Sequence, residues 1–260
     1  MSAYSHTEIE PGLLVKNSVS ANALGHYKLI AFDMDSTLIN IECIDEIADA
    51  AGKKAEVAAI TEASMRGDIK DFRDSLLRRL GLLQGVSLTY LDTVFRERLR
   101  LNPGARTLVT ACKAHGLQAV LVSGGFTYFA DRVKDMLGLD MARANALEVV
   151  DGHLTGQLLM QSWGDICDGN TKRETVLELC QQIGCDPSQM IAVGDGANDL
   201  PMLSQAGLGV AYHAKSVVKE SAQHAISNFG LDAILYLIGF SDLDIEQALG
   251  TSGQKDSHSA

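Results

Sequence analysis

The chain is poor in proline, with 4 among 260 residues, and it has no long polar low-complexity tract. Disorder along its bulk is excluded, because 46% of the residues are apolar and supply a full core. Basic character is also missing: 22 Lys and Arg stand against 33 Asp and Glu, a formal net charge of -11. A sequence-independent nucleic-acid binder needs a basic stripe to displace counterions from phosphates. The densest basic run, Arg78-Arg79 with Arg73 nearby, is too short for one, and Arg73 and Arg78 read as a solvated helix face. Cysteine pairing is absent too. The five cysteines are odd in number, widely spaced and without a C-x-x-C pair, which favours a reducing compartment, the cytoplasm. The seven histidines form no H-x-x-x-H pair, so no zinc site is read from them. No basic flank with a following apolar stretch opens the chain, and LDAILYLIGF is far short of a membrane span. No internal repeat is found.

What is present is an alternation of strand and helix patterns. YKLIAFD is a short apolar run bounded by charge, the mark of a strand buried on both faces of a parallel sheet. Helical spacings follow at Ile44, Ile47, Ala48 and Ala51, then Phe72, Leu76, Leu80 and Leu83, then Leu91, Phe95 and Leu99. No strand pattern interrupts them, and LNPG at 101–104 turns the chain back. Thereafter come a helix ending at Gly116, the strand QAVLVSGG, a helix stopping at Gly138, and a hairpin centred on Asp151-Gly152. Thr171 and Glu174 have capping-box spacing, and MIAVGDGANDLPML repeats the opening order of strand, acidic loop and helix. The pattern predicts an α/β fold, a doubly wound parallel sheet whose ligands bind beyond the carboxyl ends of the strands. The expected divisions are an N-terminal extension at 1–26, a catalytic core at 27–40 and 101–240, a helical cap at 41–100, and a disordered tail at 241–260.

Three stretches at strand ends carry the chemistry. In AFDMDSTLIN, Asp33 and Asp35 start on one side of an extended strand, where their like charges crowd. A divalent cation, or a reaction needing two carboxyls in different protonation states, compensates such crowding. A carboxylate can attack phosphorus and split a difficult hydrolysis into two displacements, while its neighbour protonates the leaving alkoxide and later accepts a proton from water. The D-x-D pair alone reads equally well as an exposed acidic turn. A second cluster, Asp195 with Asn198 and Asp199, ends another buried strand and can converge on the same cation. In SGG, the Ser123 hydroxyl and N–H groups around Gly124 can donate to phosphate. Lys172, in the first turn of a helix, is unfavourably placed against the dipole unless an anion lies beside it.

In this order, F-D-M-D-S-T, S-G-G, a lysine on the following helix and G-D-G-A-N-D resemble the four signature motifs of the haloacid dehalogenase superfamily of phosphatases. The longer strings FDMDSTLINIECIDEIA, LVSGGF and AVGDGANDLPML resemble its phosphoserine phosphatase family. The resemblance implies a Rossmann-like core with an inserted helical cap. It makes Asp33 the nucleophile and Asp35 the general acid/base, whose main-chain carbonyl joins Asp33 and Asp195 in holding Mg²⁺, with Asp199 in support. Ser123, Gly124 and Lys172 would bind phosphate, and Asn198 would position substrate. Glu42 would take the substrate ammonium and Arg79 its carboxylate, with Met65 and Phe72 over the serine moiety. The implied reaction is hydrolysis of O-phospho-L-serine through an aspartyl-phosphate, the last step of serine biosynthesis. The partner is then a small phosphate ester, not a nucleic acid or a membrane. A superfamily phosphatase or phosphotransferase acting on phosphohomoserine or another small ester shares every catalytic residue and stays open. A non-catalytic Mg²⁺- or phosphate-binding module is disfavoured by the intact Asp33–Asp35 pair.

Overall fold

The structure, a computed structural model, describes residues 7–15, 25–66, 68, 69 and 71–252. Its strands are β1 (Thr7–Glu10), β2 (Leu13–Val15), β3 (Leu29–Phe32), β4 (Gln118–Phe126), β5 (Met141–Val150), β6 (His153–Leu159), β7 (Met190–Gly194), β8 (Leu208–Tyr212) and β9 (His224–Ile226). They form one sheet in the order β1-β2-β9-β8-β7-β3-β4-β5-β6. The six central strands from β9 to β5 are parallel, and antiparallel pairs close both edges. The helices are α1 (Cys43–Ala50), α2 (Lys54–Arg66), α3 (Phe72–Leu82), α4 (Leu88–Thr93), α5 (Ala105–Ala114), α6 (Thr127–Leu137), α7 (Gly169–Ile183), α8 (Leu200–Leu203), α9 (Ser216–Ser221), α10 (Ala233–Leu237) and α11 (Asp242–Ser252).

Every residue of β3, β7 and β8 is buried, which is why these strands read as unbroken apolar runs. Alternate side chains divide between two cores. Ile30, Phe32, Ile191 and Val193 pack with Leu108 of α5 and Phe129 of α6. Leu29, Ala31, Met190 and Ala192 pack with Val176 of α7 and Met202 of α8. Phe32 is level with Val193 on one side and Leu121 on the other, so three carboxyl ends meet at one height. The chain leaves β3 toward β4 and β5 and returns through α7 to β7 and β8 on the opposite side. The switch point of the sheet therefore lies at β3.

Helices α1 to α4 fill the span between β3 and α5, with a wide helical turn at Val94–Arg98. The hairpin of β5 and β6 turns through Asp151 and Gly152, both at positive φ (49° and 75°), as an Asp-Gly turn requires. It reaches the helical layer: Gly85 N–H donates to Leu154 O at 2.8 Å, and Leu154 N–H to Val86 O at 2.8 Å. Arg73, exposed as expected of a solvated face, also extends from α3 to pair with Asp165 in the segment before α7.

Two expectations are corrected, and the N-terminal extension gains structure. The capping box at Thr171–Glu174 is absent: α7 starts earlier, and Asp168 caps it by accepting from Thr171 N–H at 2.8 Å. The N-terminal extension at 1–26 contributes β1 and β2, which add to the sheet through β9. The tail expected to be disordered from 241 is helical to Ser252, with Ala248 buried and Ser241 capped by Asp244. Residues 253–260 lie outside the described residues, as does the side chain of Met65 on α2. Among the described residues, no helix is long and apolar enough to cross a membrane.

Candidate active site

Asp33 follows β3, its N–H donating to Val193 O at 2.9 Å, so the first acidic loop is fastened to the strand that carries the second. The chain then turns sharply, with Ser36 at φ 55°, a left-handed conformation that costs a non-glycine residue and persists only when surroundings enforce it. Asn102 enforces it, donating from Nδ2 to Thr37 O at 2.8 Å and Ile39 O at 3.0 Å.

Asp33, Asp195 and Asp199 converge, with one oxygen of each lying within 4.8 Å of the others. Lys172, fully buried, places its ammonium 2.7 Å from Asp33 Oδ1 and 2.6 Å from Asp199 Oδ1. Burial by itself would lower its pKa, but the two carboxylates outweigh burial and hold it raised. These carboxylates are therefore the anions that explain a lysine near the start of α7. Both oxygens of Asp199 are engaged, one by Lys172 and the other by Gly196 N–H at 2.9 Å. Among the described residues, Asp195 accepts only from the Thr37 hydroxyl, at 3.2 Å. Burial, with Asp199 next, raises Asp33 to about 7 despite Lys172. Burial, with Asp33, Asp199 and Glu42, pushes Asp195 up to about 8. One ammonium does not neutralise three carboxylates, and the hard oxygen donors left over suit a divalent cation.

The acidic loop packs closely on its glycines. A Cβ on Gly194 would lie 2.4 Å from Asp199 Cγ, and one on Gly196 would lie 2.2 Å from Asn198 Oδ1. Asp35 stands apart from the triad, accepting from Cys43 N–H at 3.2 Å. Burial, together with Glu42 and Asp33, raises its pKa well above the carboxylate range and favours a protonated acid. A Cβ on Gly125 would lie 2.6 Å from Asp35 Oδ2, so this glycine admits the acid to the loop of β4. Ser123 is buried, and its Oγ accepts from Gly125 N–H at 2.9 Å, which leaves the hydroxyl proton to donate.

Over these groups lies a cavity of about 410 Å³ lined by Asp33, Asp35, Ser123, Gly124, Asp195 and Asn198 from the sheet side and by Glu42, Phe72 and Arg79 from the helical layer. Phe72 presses on the loop of β4, since a Cβ on Gly124 would come 2.8 Å from its Cζ. Glu42 Oε1 accepts from the Ser36 hydroxyl at 2.6 Å, and burial nonetheless raises its pKa. Burial lowers the pKa of Arg79 against the pull of Asp45 and Glu42.

With the exception of the Met65 side chain, every candidate catalytic, metal-binding or substrate-binding residue named from the sequence lies in or against this cluster. Sequence reasoning missed four others. Thr37 sits inside DMDST, and its place in the motif was a usable signal. Asp45, one turn beyond Glu42, lines the cavity with Oδ1 buried and unbonded. Lys215 follows β8 at the cavity mouth, another carboxyl end of the parallel sheet. Asn145 lies fully buried behind the β4 loop, where no local pattern announces it.

The haloacid dehalogenase-like hydrolase model matches residues 27–207, spanning both acidic loops, the β4 loop and Lys172. The chain belongs to that family. A phosphoserine phosphatase of Polaromonas sp. is 62% identical over 232 residues, covering 89% of this chain and 98% of that protein. A solved phospho-aspartyl intermediate analogue of phosphoserine phosphatase superposes with a TM-score of 0.75 at 39% identity, covering 82% of this chain and 99% of that one. A substrate-bound phosphoserine phosphatase complex does so with a TM-score of 0.75 at 39% identity, covering 82% of this chain and 98% of that one. The chain is thus a hydrolase by family, with a core triad, a buried lysine and a charged layer above them.

Proposed function

We propose that the protein hydrolyses O-phospho-L-serine to L-serine and phosphate, in the cytoplasm, using Mg²⁺ held by Asp33, the main-chain carbonyl of Asp35, and Asp195. The observation that carries this is the pairing, across one cavity, of an Asp33–Lys172 nucleophile site with cap residues of both signs, Glu42 and Arg79. A phosphate ester fits the first, and an amino-acid zwitterion fits the second. The similar proteins are phosphoserine phosphatases, one of them solved with substrate bound, which supports the same substrate.

The residues divide the work as follows. Bound Mg²⁺ would neutralise negative charge on the carboxylates and the phosphoryl oxygens. An Asp33 carboxylate oxygen bonds to phosphorus while the bond from phosphorus to the serine oxygen breaks, and that oxygen takes the proton of Asp35. Water then attacks phosphorus, its proton passes to Asp35, and the bond to Asp33 breaks. Both aspartates end as they began. The raised pKa of Asp35 suits the first step, since it must hold a proton at neutral pH. Ser123 and the main chain at Gly124 steady the phosphoryl oxygens, Lys172 holds Asp33 in place, and Asn198 positions the substrate. The helices at 41–100 act as a cap that excludes water, with Phe72 closing on the β4 loop.

The test is kcat/KM for O-phospho-L-serine, phosphohomoserine, phosphothreonine and p-nitrophenyl phosphate, with Mg²⁺ and with EDTA, for wild type and Asp33→Asn. Preference for phosphoserine, lost in EDTA and in the variant, is expected. Preference for another ester would keep the chemistry and remove the substrate, and absence of all turnover would remove both.

A further inference from the structure

Asn145 is wholly buried on β5, opposite the loop of β4 that carries Ser123 and Gly124. The strand register shows why it is there. Val122 pairs with Arg143 and Phe126 pairs with Asn145, so four steps along β4 are matched by two along β5. The segment Ser123–Gly125 is therefore a bulge, and its backbone groups are taken out of the ladder. A carbonyl lost from a buried ladder needs another donor. Asn145 supplies it, Nδ2 donating to Gly124 O at 2.7 Å. Its Oδ1 accepts from Cys167 N–H at 2.8 Å. Cys167 adjoins Asp168, the residue that caps α7, and α7 carries Lys172.

One planar amide thus joins the loop that would face the phosphoryl oxygens to the start of the helix whose lysine grips Asp33. The two elements are 42 residues apart in sequence, counted from Gly125 to Cys167, and meet closely here: a Cβ on Gly124 would lie 3.3 Å from Cys167 O. We infer that Asn145 is a positioning residue for phosphoryl recognition, fixing the β4 bulge and the α7 N-terminus at one separation. It touches neither substrate nor nucleophile, and it acts through Gly124 and Cys167. This role rests on the phosphatase reading of the site.

Asn145→Asp and Asn145→Ser test it. Aspartate keeps an acceptor for Cys167 N–H but sets an oxygen against Gly124 O, so it breaks one arm of the bridge. Inhibition constants for inorganic phosphate and for L-serine are measured in Mg²⁺, with p-nitrophenyl phosphate as reporter substrate so that the readout does not depend on phosphoserine being the natural ester. The expected result is a rise of about tenfold or more in the phosphate constant, with the serine constant within about twofold, because a displacement near 1 Å at a reacting group can cost ~100-fold. Equal rises for phosphate and serine, or a lowered melting temperature with the phosphate constant unchanged, would overturn the role. If neither variant folds, the wild type decides by NMR. The Asn145 side-chain amide resonances should shift on adding phosphate and not on adding serine, and unmoved resonances would refute the inference. Failure of the phosphatase reading would show differently, as a wild type that turns over neither ester.

Discussion

Removing the divalent cation should make the protein's stability fall as pH rises, against the usual behaviour of carboxylates. Asp33 is raised from 3.8 to about 7, and Asp195 is raised from 3.8 to about 8. For an acid whose folded pKa lies above its unfolded value, the native state keeps a proton that the unfolded chain has released. The unfolding free energy then declines with pH. The cost is absent below about pH 4, where both states are protonated, and is complete only above about pH 8. Asp33 is only 5% exposed, and its rise from 3.8 to about 7 corresponds to roughly 4 kcal/mol. The Asp195 shift includes repulsion from Asp33 itself and is not added to it. For a chain of this size such a cost amounts to a melting-temperature change on the order of 10 °C.

The assay is thermal unfolding from pH 5.5 to 8.5 in EDTA and in Mg²⁺. The lower limit avoids Asp49, Asp165, Asp186 and Asp244, whose pKa values are lowered, so that the stability they contribute is lost only as pH falls below about 4. In EDTA the melting temperature should decline across the range. Mg²⁺ should flatten the decline, stabilising more at pH 8.5 than at 5.5. Asp195→Asn should melt higher than wild type in EDTA at pH 8.5 and should lose most of the response to Mg²⁺. A flat or rising EDTA profile, or an Asn variant that keeps the wild-type slope, would refute the crowding argument.

Lys172→Met leaves two buried carboxylates without their shared cation and should destabilise by ~3–5 kcal/mol near pH 8 by chemical denaturation. The loss should shrink toward pH 5.5, where Asp33 takes up a proton. Asp35→Asn should lower kcat for phosphoserine by ~10²–10⁴. With p-nitrophenyl phosphate, whose leaving group needs no proton, rapid mixing should show a burst of nitrophenolate followed by slow turnover. Arg79→Lys should raise KM for phosphoserine by ~10-fold through loss of a two-pronged contact, while KM for p-nitrophenyl phosphate stays within about twofold.

Legibility in the sequence tracked distance along the chain. DMDST, SGG and GDGAND each place their polar groups within a few residues of a strand end, so their grouping follows from the sheet alone. The β1–β2 hairpin was invisible because strands of four and three residues carry no period, and pairing with β9 defines them. The Thr171–Glu174 spacing misled because Asp168, a better-placed acceptor, starts α7 a turn earlier. Helix α11 escaped notice because little of it is apolar, and burial of Ala248 against the core holds it. Asn145 was beyond local reasoning altogether, since its partners are 21 and 22 residues away and its role arises only from the β4 bulge.

The core and the cap differ in how completely they satisfy their own charges, and that difference assigns chemistry to one and selection to the other. In the core, Lys172 contacts two carboxylates and Asp199 has both oxygens bonded, so Asp33 is held before any substrate arrives. In the cap, Asp45 Oδ1 is buried without a donor, Glu42 has one hydroxyl, and burial opposes the charge of Arg79. An ammonium offers three donors to Glu42 and Asp45, and a carboxylate offers two acceptors to Arg79. An ester with only the carboxylate would draw on Arg79, the cation that Glu42 and Asp45 share, and bring those acids no ammonium in exchange, whereas a neutral aryl group would merely leave them as they are. Discrimination should therefore be sharpest against anionic esters without an amine, a polarity set by the cap and not by the phosphoryl site.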